Sequence, residues 1–126
     1  MIHIKDKNIS QSEPTAVMLG SFDGMHMGHR QLAKLTLEYA KKENLKSVVF
    51  TFSPHPRTLF GKDGFLLILS PEEKKYLIER MGFDIYIEYP FSKEFAALSP
   101  EEFAVDLIFK KLNCKVLVVG YDYRFG

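Results

Sequence analysis

Cysteine is almost missing from this chain: Cys114 stands alone among 126 residues. An internal disulfide is thereby excluded, and so is a zinc site built on several thiolates. Cys114 runs into Lys115-Val116-Leu117-Val118-Val119 and reads as a buried thiol at a strand edge rather than a nucleophile. Charge of one sign is equally scarce, with 17 Lys and Arg against 16 Asp and Glu and a formal net charge of +1. That balance offers no broad field for nucleic acid or an anionic membrane, so any phosphate must be held locally. No apolar run approaches the roughly 18–20 residues of a membrane span. Met1-Ile2-His3-Ile4-Lys5-Asp6-Lys7 has no signal-peptide apolar core, and a reducing cytoplasm is the expected setting. The G-x-G-x-x-G turn of dinucleotide-binding dehydrogenases is absent as well.

What is present fits one globular domain with a real core, at 46% hydrophobic and 26% charged residues. The chain is organised around residues 16–32, AVMLGSFDGMHMGHRQL. An apolar run, Ala16 to Leu19, turns at Gly20-Ser21-Phe22-Asp23-Gly24, passes His26-Met27-Gly28-His29 and enters a helical pattern. Strand, tight loop and helix N-terminus in this order are the layout of a nucleotide site in an α/β fold. Two imidazoles sit three residues apart at the mouth of a helix. The glycine between them allows close approach to the backbone.

The rest of the chain reads as alternating strands and helices. A short strand is expected at Ile2–Ile4, and His3 is expected on the surface. Thr15 to Gly20 is continuously apolar, as suits a strand buried on both faces of a parallel sheet. Gly28 to Lys42 is helical, with Leu32, Leu35 and Tyr39 at i, i+3, i+7, Ala40 beside them, and Lys41-Lys42 as closing cations. Ser47 to Phe52 is a β-branched and aromatic strand, making a right-handed βαβ unit. Residues 58–69 form a longer loop, expected to be mobile. Ser70-Pro71-Glu72-Glu73 starts a helix that stops at Gly82. Asp84 to Glu88 is a strand, and residues 89–98 read as a loop anchored by Phe91 and Phe95. Ser99-Pro100-Glu101-Glu102 repeats the helix start, with Phe103, Leu107 and Ile108 inward and an end near Asn113. Lys115 to Gly120 is the last strand.

Four stretches are similar to one family. Gly20-Ser21-Phe22-Asp23-Gly24-Met25-His26-Met27-Gly28-His29 resembles the G-x-F-D-G-x-H-x-G-H signature of bacterial FAD synthetases, the bifunctional riboflavin kinase/FMN adenylyltransferases. Ser21 stands where that family more often has Asn or Val. Thr51-Phe52-Ser53-Pro54-His55-Pro56 is similar to its T-F-x-P-H-P loop. Residues 90–103 are similar to its P-F-x-x-E-F-A-x-L-x-P-E-x-F segment. Gly120-Tyr121-Asp122-Tyr123-Arg124-Phe125-Gly126 resembles its G-x-[D/N]-[F/Y]-x-F-G segment.

The resemblance implies a Rossmann-like nucleotidyltransferase fold, α/β, with helices on both faces of a parallel sheet. It also implies transfer of AMP from ATP to FMN, giving FAD and pyrophosphate. His26 and His29 would hold phosphate and the transition state. Gly20, Ser21, Phe22, Asp23, Gly24 and Gly28 would complete the ATP site. Pro54, His55, Pro56, Asp122 and Phe125 would meet the flavin, although His55 reads equally as loop structure. Arg57 and Arg124 read as solvated or salt-bridged arginines. Mg²⁺ would come with ATP, and no metal site on the protein is expected. The family's I-S-S-T-x-x-R phosphate motif does not occur in these residues, nor does a riboflavin kinase domain. The chain is therefore expected to be part of an adenylyltransferase domain, with a sheet edge open to self-association. The rival readings are a non-catalytic flavin- or nucleotide-binding module and another H-x-G-H adenylyl- or cytidylyltransferase.

Overall fold

The computed structural model describes residues 1–20, 27–53, 71–90 and 92–119. Within them five parallel strands form one sheet: β1 (Ile2–Ile4), β2 (Thr15–Leu19), β3 (Lys46–Ser53), β4 (Ile85–Pro90) and β5 (Cys114–Val119). The spatial order is β1-β4-β3-β2-β5. All five residues of β2 are buried, because helices cover both of its faces and strands flank both edges. That is the environment its uninterrupted apolar run requires. Thr15 opens the strand, and its hydroxyl donates to the Leu112 carbonyl at 2.7 Å.

Side chains alternate across the sheet. Val17, Leu19, Val48, Phe50, Ile85, Ile87 and Tyr89 form one core, and Met18, Val49 and Tyr86 belong to the other. Helices α1 (Met27–Lys42) and α2 (Pro71–Met81) supply Ala33 and Ile78 to the second core. The first core is closed by a helical stretch that begins as α4 (Pro100–Glu102) and continues as a π-helix over Phe103–Lys111. Helices on both faces of a parallel sheet are thus as expected.

The inward stripe of α1 differs from the expected one. Leu35 and Tyr39 are 42% and 40% exposed, while Ala33, Thr36 and Ala40 are buried. Small residues at i, i+3, i+7 let the helix lie close to the sheet, and the larger apolar side chains flank the contact. Thr36 returns its hydroxyl to the Leu32 carbonyl at 2.8 Å, so its burial leaves that donor satisfied. His3 is not a surface residue. Its ring stacks on Tyr86 at 4.6 Å, and its Nε2 lies 2.6 Å from Glu88 Oε2. Residues 89–98 are not a plain loop, since Lys93–Ala96 form a short helix, α3. The Ser92 hydroxyl accepts from the Phe95 N–H at 3.1 Å there.

Helix ends follow their local chemistry. The Ser99 hydroxyl accepts from the Glu102 N–H at 3.1 Å, and the Glu102 carboxylate accepts from the Ser99 N–H at 3.0 Å. This is the reciprocal box expected from Ser-Pro-Glu-Glu. The copy at Ser70 lies outside the described residues. Gly82 ends α2 at φ +99°, a conformation that favours glycine, and Asn44 and Asn113 take φ values of +56° and +52° after the helices they close.

Expecting an α-helix after Glu102 overlooked a spacing. The buried residues are Phe103, Leu107, Ile108 and Leu112, at i, i+4, i+5, i+9. On an α-helix the first and last of these would point in opposite directions. A π-helix has a wider turn, roughly four to five residues, and brings all four to one face. The N–H of Leu112 accordingly donates to the Leu107 carbonyl at 3.1 Å.

Candidate functional site

Every strand of the sheet runs the same way, so β2, β3, β4 and β5 deliver the chain to one edge. The strand order reverses between β2 and β5: the chain steps from β2 to β3 and β4 on one side and returns to the other with β5. Ligands of open α/β sheets collect outside the strand C-termini at such a reversal. Leu19 and Val119 lie opposite each other there. Gly20 follows β2, is buried, and donates its N–H to the Phe50 carbonyl at 3.2 Å. That bond holds the exit of β2 against β3.

Helix α1 begins at Met27, and Gly28 and His29 fall in its first turn. The first N–H groups of a helix lack intrahelical partners and carry the positive end of its dipole. Lys41 and Lys42 occupy the last turn, where cations complement the opposite end. The remaining expected ATP-site residues, Ser21, Phe22, Asp23, Gly24 and His26, lie outside the described residues. So do Pro54, His55, Pro56, Arg57, Asp122, Arg124 and Phe125. Their flanks are placed: β3 ends at Ser53, one residue before Pro54, and β5 ends at Val119. The structure thus brings the flanks of three expected segments to one edge of the sheet.

An aromatic cluster stands at that edge on the π-helix side. Phe52 lies 4.8 Å from Phe95 and 6.1 Å from Phe103, ring centre to ring centre. Phe103 meets Phe95 edge-on at 5.6 Å and Phe50 at 5.7 Å, and Tyr89 stacks on Phe50 at 5.7 Å. Such pairs stabilise by about 0.5–1.5 kcal/mol beyond their area burial. Phe95 is read from the sequence as a loop anchor and Phe103 as an inward residue of the following helix. The signal that joins them is Phe50-x-Phe52, whose period of two puts both rings on one face of β3.

Two other features lie away from this edge. Burial pushes the Cys114 thiol above its usual pKa, and its Sγ donates to the Val116 carbonyl at 3.2 Å. Burial outweighs the backbone hydrogen bonds at Val17 and Val116, which act the other way, and keeps it a neutral thiol, as expected of a structural cysteine. A cleft of about 730 Å³ at the opposite edge is lined by Glu13, Lys41, Lys46, Ser47 and Asp84 among others. There the Asp84 carboxylate accepts from the Ser47 N–H at 2.9 Å and hydroxyl at 3.1 Å, binding the entry of β4 to β3.

This fold and its loaded edge define an α/β protein of the nucleotidyltransferase kind. The family model for FAD synthetase matches residues 8–126, and the chain belongs to that family. It is 40% identical over 123 residues to the bifunctional riboflavin kinase/FMN adenylyltransferase of Escherichia coli K12, covering 94% of this chain and 39% of that protein. The Bacillus subtilis protein of the same name is 35% identical over 130 residues, covering 99% and 41%. The chain thus spans about two fifths of the length of these relatives. A crystal structure described as a macrolide-efflux protein from Streptococcus pneumoniae matches with a TM-score of 0.80 and 32% identity, over 100% of this chain and 50% of that one. Among the described residues no helix is long and apolar enough to cross a membrane.

Proposed function

We propose that this chain carries the FMN adenylyltransferase site of a bacterial FAD synthetase and works in the cytoplasm. The observation that carries the reading is the start of α1 at Met27, eight residues after β2 ends at Leu19, at the reversal of strand order. In the reaction, a phosphate oxygen of FMN attacks the α-phosphorus of ATP. The bond to the β-phosphate oxygen breaks, and pyrophosphate leaves with the electron pair. The protein has little covalent work here. It holds two anions in line and stabilises charge as it builds on the α-phosphate and the leaving group.

His26 and His29 are assigned as the donors to those oxygens, assisted by the N-terminal N–H groups of α1. Gly20, Ser21, Phe22, Asp23 and Gly24 shape the ATP loop, and Gly28 allows close approach of the nucleotide. Pro54, His55, Pro56, Asp122 and Phe125 are assigned to the flavin. Among the described residues no three His, Cys, Asp or Glu side chains converge to hold a metal ion. Mg²⁺ is proposed to enter on the triphosphate, where it neutralises charge.

The test is chromatographic detection of FAD from FMN, ATP and Mg²⁺, with pyrophosphate measured alongside. His29→Ala is expected to abolish product while leaving the thermal transition unchanged, and undiminished FAD synthesis by that variant would overturn the assignment. A second reading is a non-catalytic module that binds FMN without turning it over. A change in flavin fluorescence with no pyrophosphate release identifies that case. We also propose self-association through the outer edge of β5, where Leu117 and Val119 are 38% and 39% exposed.

A further inference from the structure

The π-helix of Phe103–Lys111 asks for a reason. Such winding occupies well under 1% of residues in globular proteins and concentrates at functional sites. Packing explains how this spacing winds, but not why the spacing carries an extra residue. Removing one residue from its exposed side would place the same buried side chains at i, i+3, i+4, i+8, the stripe of an ordinary amphipathic α-helix. Asp106 is such a residue. It is exposed, and its carboxylate forms an exposed ion pair with Lys110 at 3.8 Å, a kind of contact that contributes little to stability.

What the extra residue does change is the position of Phe103 relative to the far end of the helix. That end is pinned, because the Leu112 carbonyl accepts from Thr15 at 2.7 Å at the start of the central strand. The near end is held by the Ser99–Glu102 box, and the Phe103 N–H donates to the Ser99 carbonyl at 3.0 Å. Between these two fixed ends the π turn sets where the Phe103 ring meets Phe52 and Phe95.

We propose that the π winding is a positioning device: it seats Phe103 against Phe52 and so fixes the last residues of β3, the strand that ends at Ser53, one residue before Pro54. Phe103 is on this account a positioning residue that acts through Phe52. The geometry is independent of the ligand, and the choice of FMN as probe rests on the flavin reading above.

Two variants test it. Deletion of Asp106 rewinds the helix with its core residues retained, and Phe103→Leu keeps an apolar side chain but removes the ring. Each is compared with the parent by thermal unfolding, by hydrogen–deuterium exchange of residues 50–53, and by titration of FMN fluorescence. Both variants are expected to unfold cooperatively, to exchange faster at the end of β3, and to bind FMN at least tenfold more weakly. Parent-like exchange at residues 50–53 in either folded variant overturns the proposal. Should the deletion fail to fold, F103L decides by the same criterion. If the parent itself does not bind FMN, the flavin reading fails, and exchange still decides the positioning role.

Discussion

Cys114 shows how burial sets the behaviour of a single side chain. Its thiol is desolvated, which disfavours the thiolate and raises the pKa. A raised value means that the folded chain holds the proton more tightly than the unfolded one. The stabilising contribution is complete below the ordinary thiol range and is lost as pH rises through it, from about 8.5 upward. Cys114 is therefore expected to react with a disulfide reagent at pH 8 far more slowly in the folded chain than in denaturant. The thermal midpoint of the parent should fall more steeply above pH 9 than that of Cys114→Ala. Equal reaction rates in both states would contradict the burial. Legibility at this scale tracked sequence distance. His26 and His29 announce themselves by local spacing. The pairing of His3 with Glu88 joins residues 85 apart in sequence, so nothing around His3 signals that it is half-buried.

At the scale of elements, the second Ser-Pro-Glu-Glu was fully legible, because a capping box is written in four consecutive residues. Ser99→Ala removes the acceptor for the Glu102 N–H. The expected cost is about 1 kcal/mol, read as a lower midpoint in urea with an unchanged slope. The stripe of α1 was misread because Leu35 and Tyr39 satisfy a helical period as well as Ala33, Thr36 and Ala40 do. Periodicity counts apolar residues, whereas close packing on a sheet selects small ones. The π-helix was hidden for a related reason. Phe103, Leu107 and Ile108 fit an α stripe, and only the addition of Leu112 breaks it. Phe50-x-Phe52 was legible as a strand but not as part of an aromatic wall, since its partners Tyr89, Phe95 and Phe103 come from three other elements.

For the whole molecule, alternation of strands and helices was enough to announce a parallel sheet with two covered faces. The strand order was not written locally, because it depends on which edge each crossover returns to. The outer edge of β5 gives the remaining expectation of this scale. Sedimentation should show association that grows with concentration, and Leu117→Lys should suppress it by placing a charge on the strand. A monomer at every concentration would dispose of the proposed contact. The same strand order also bears on how the chain reaches its fold in time. Val17 pairs with Val48 across one helical crossover, but with Leu117 only once nearly all of the chain is available. Contacts so distant in sequence are slow to close, so the β2–α1–β3 unit is expected to nucleate and β5 to dock late. Val49→Ala should then slow refolding, while Val118→Ala should mainly hasten unfolding. The central strand would thus wait, one edge bare, for β5 to arrive.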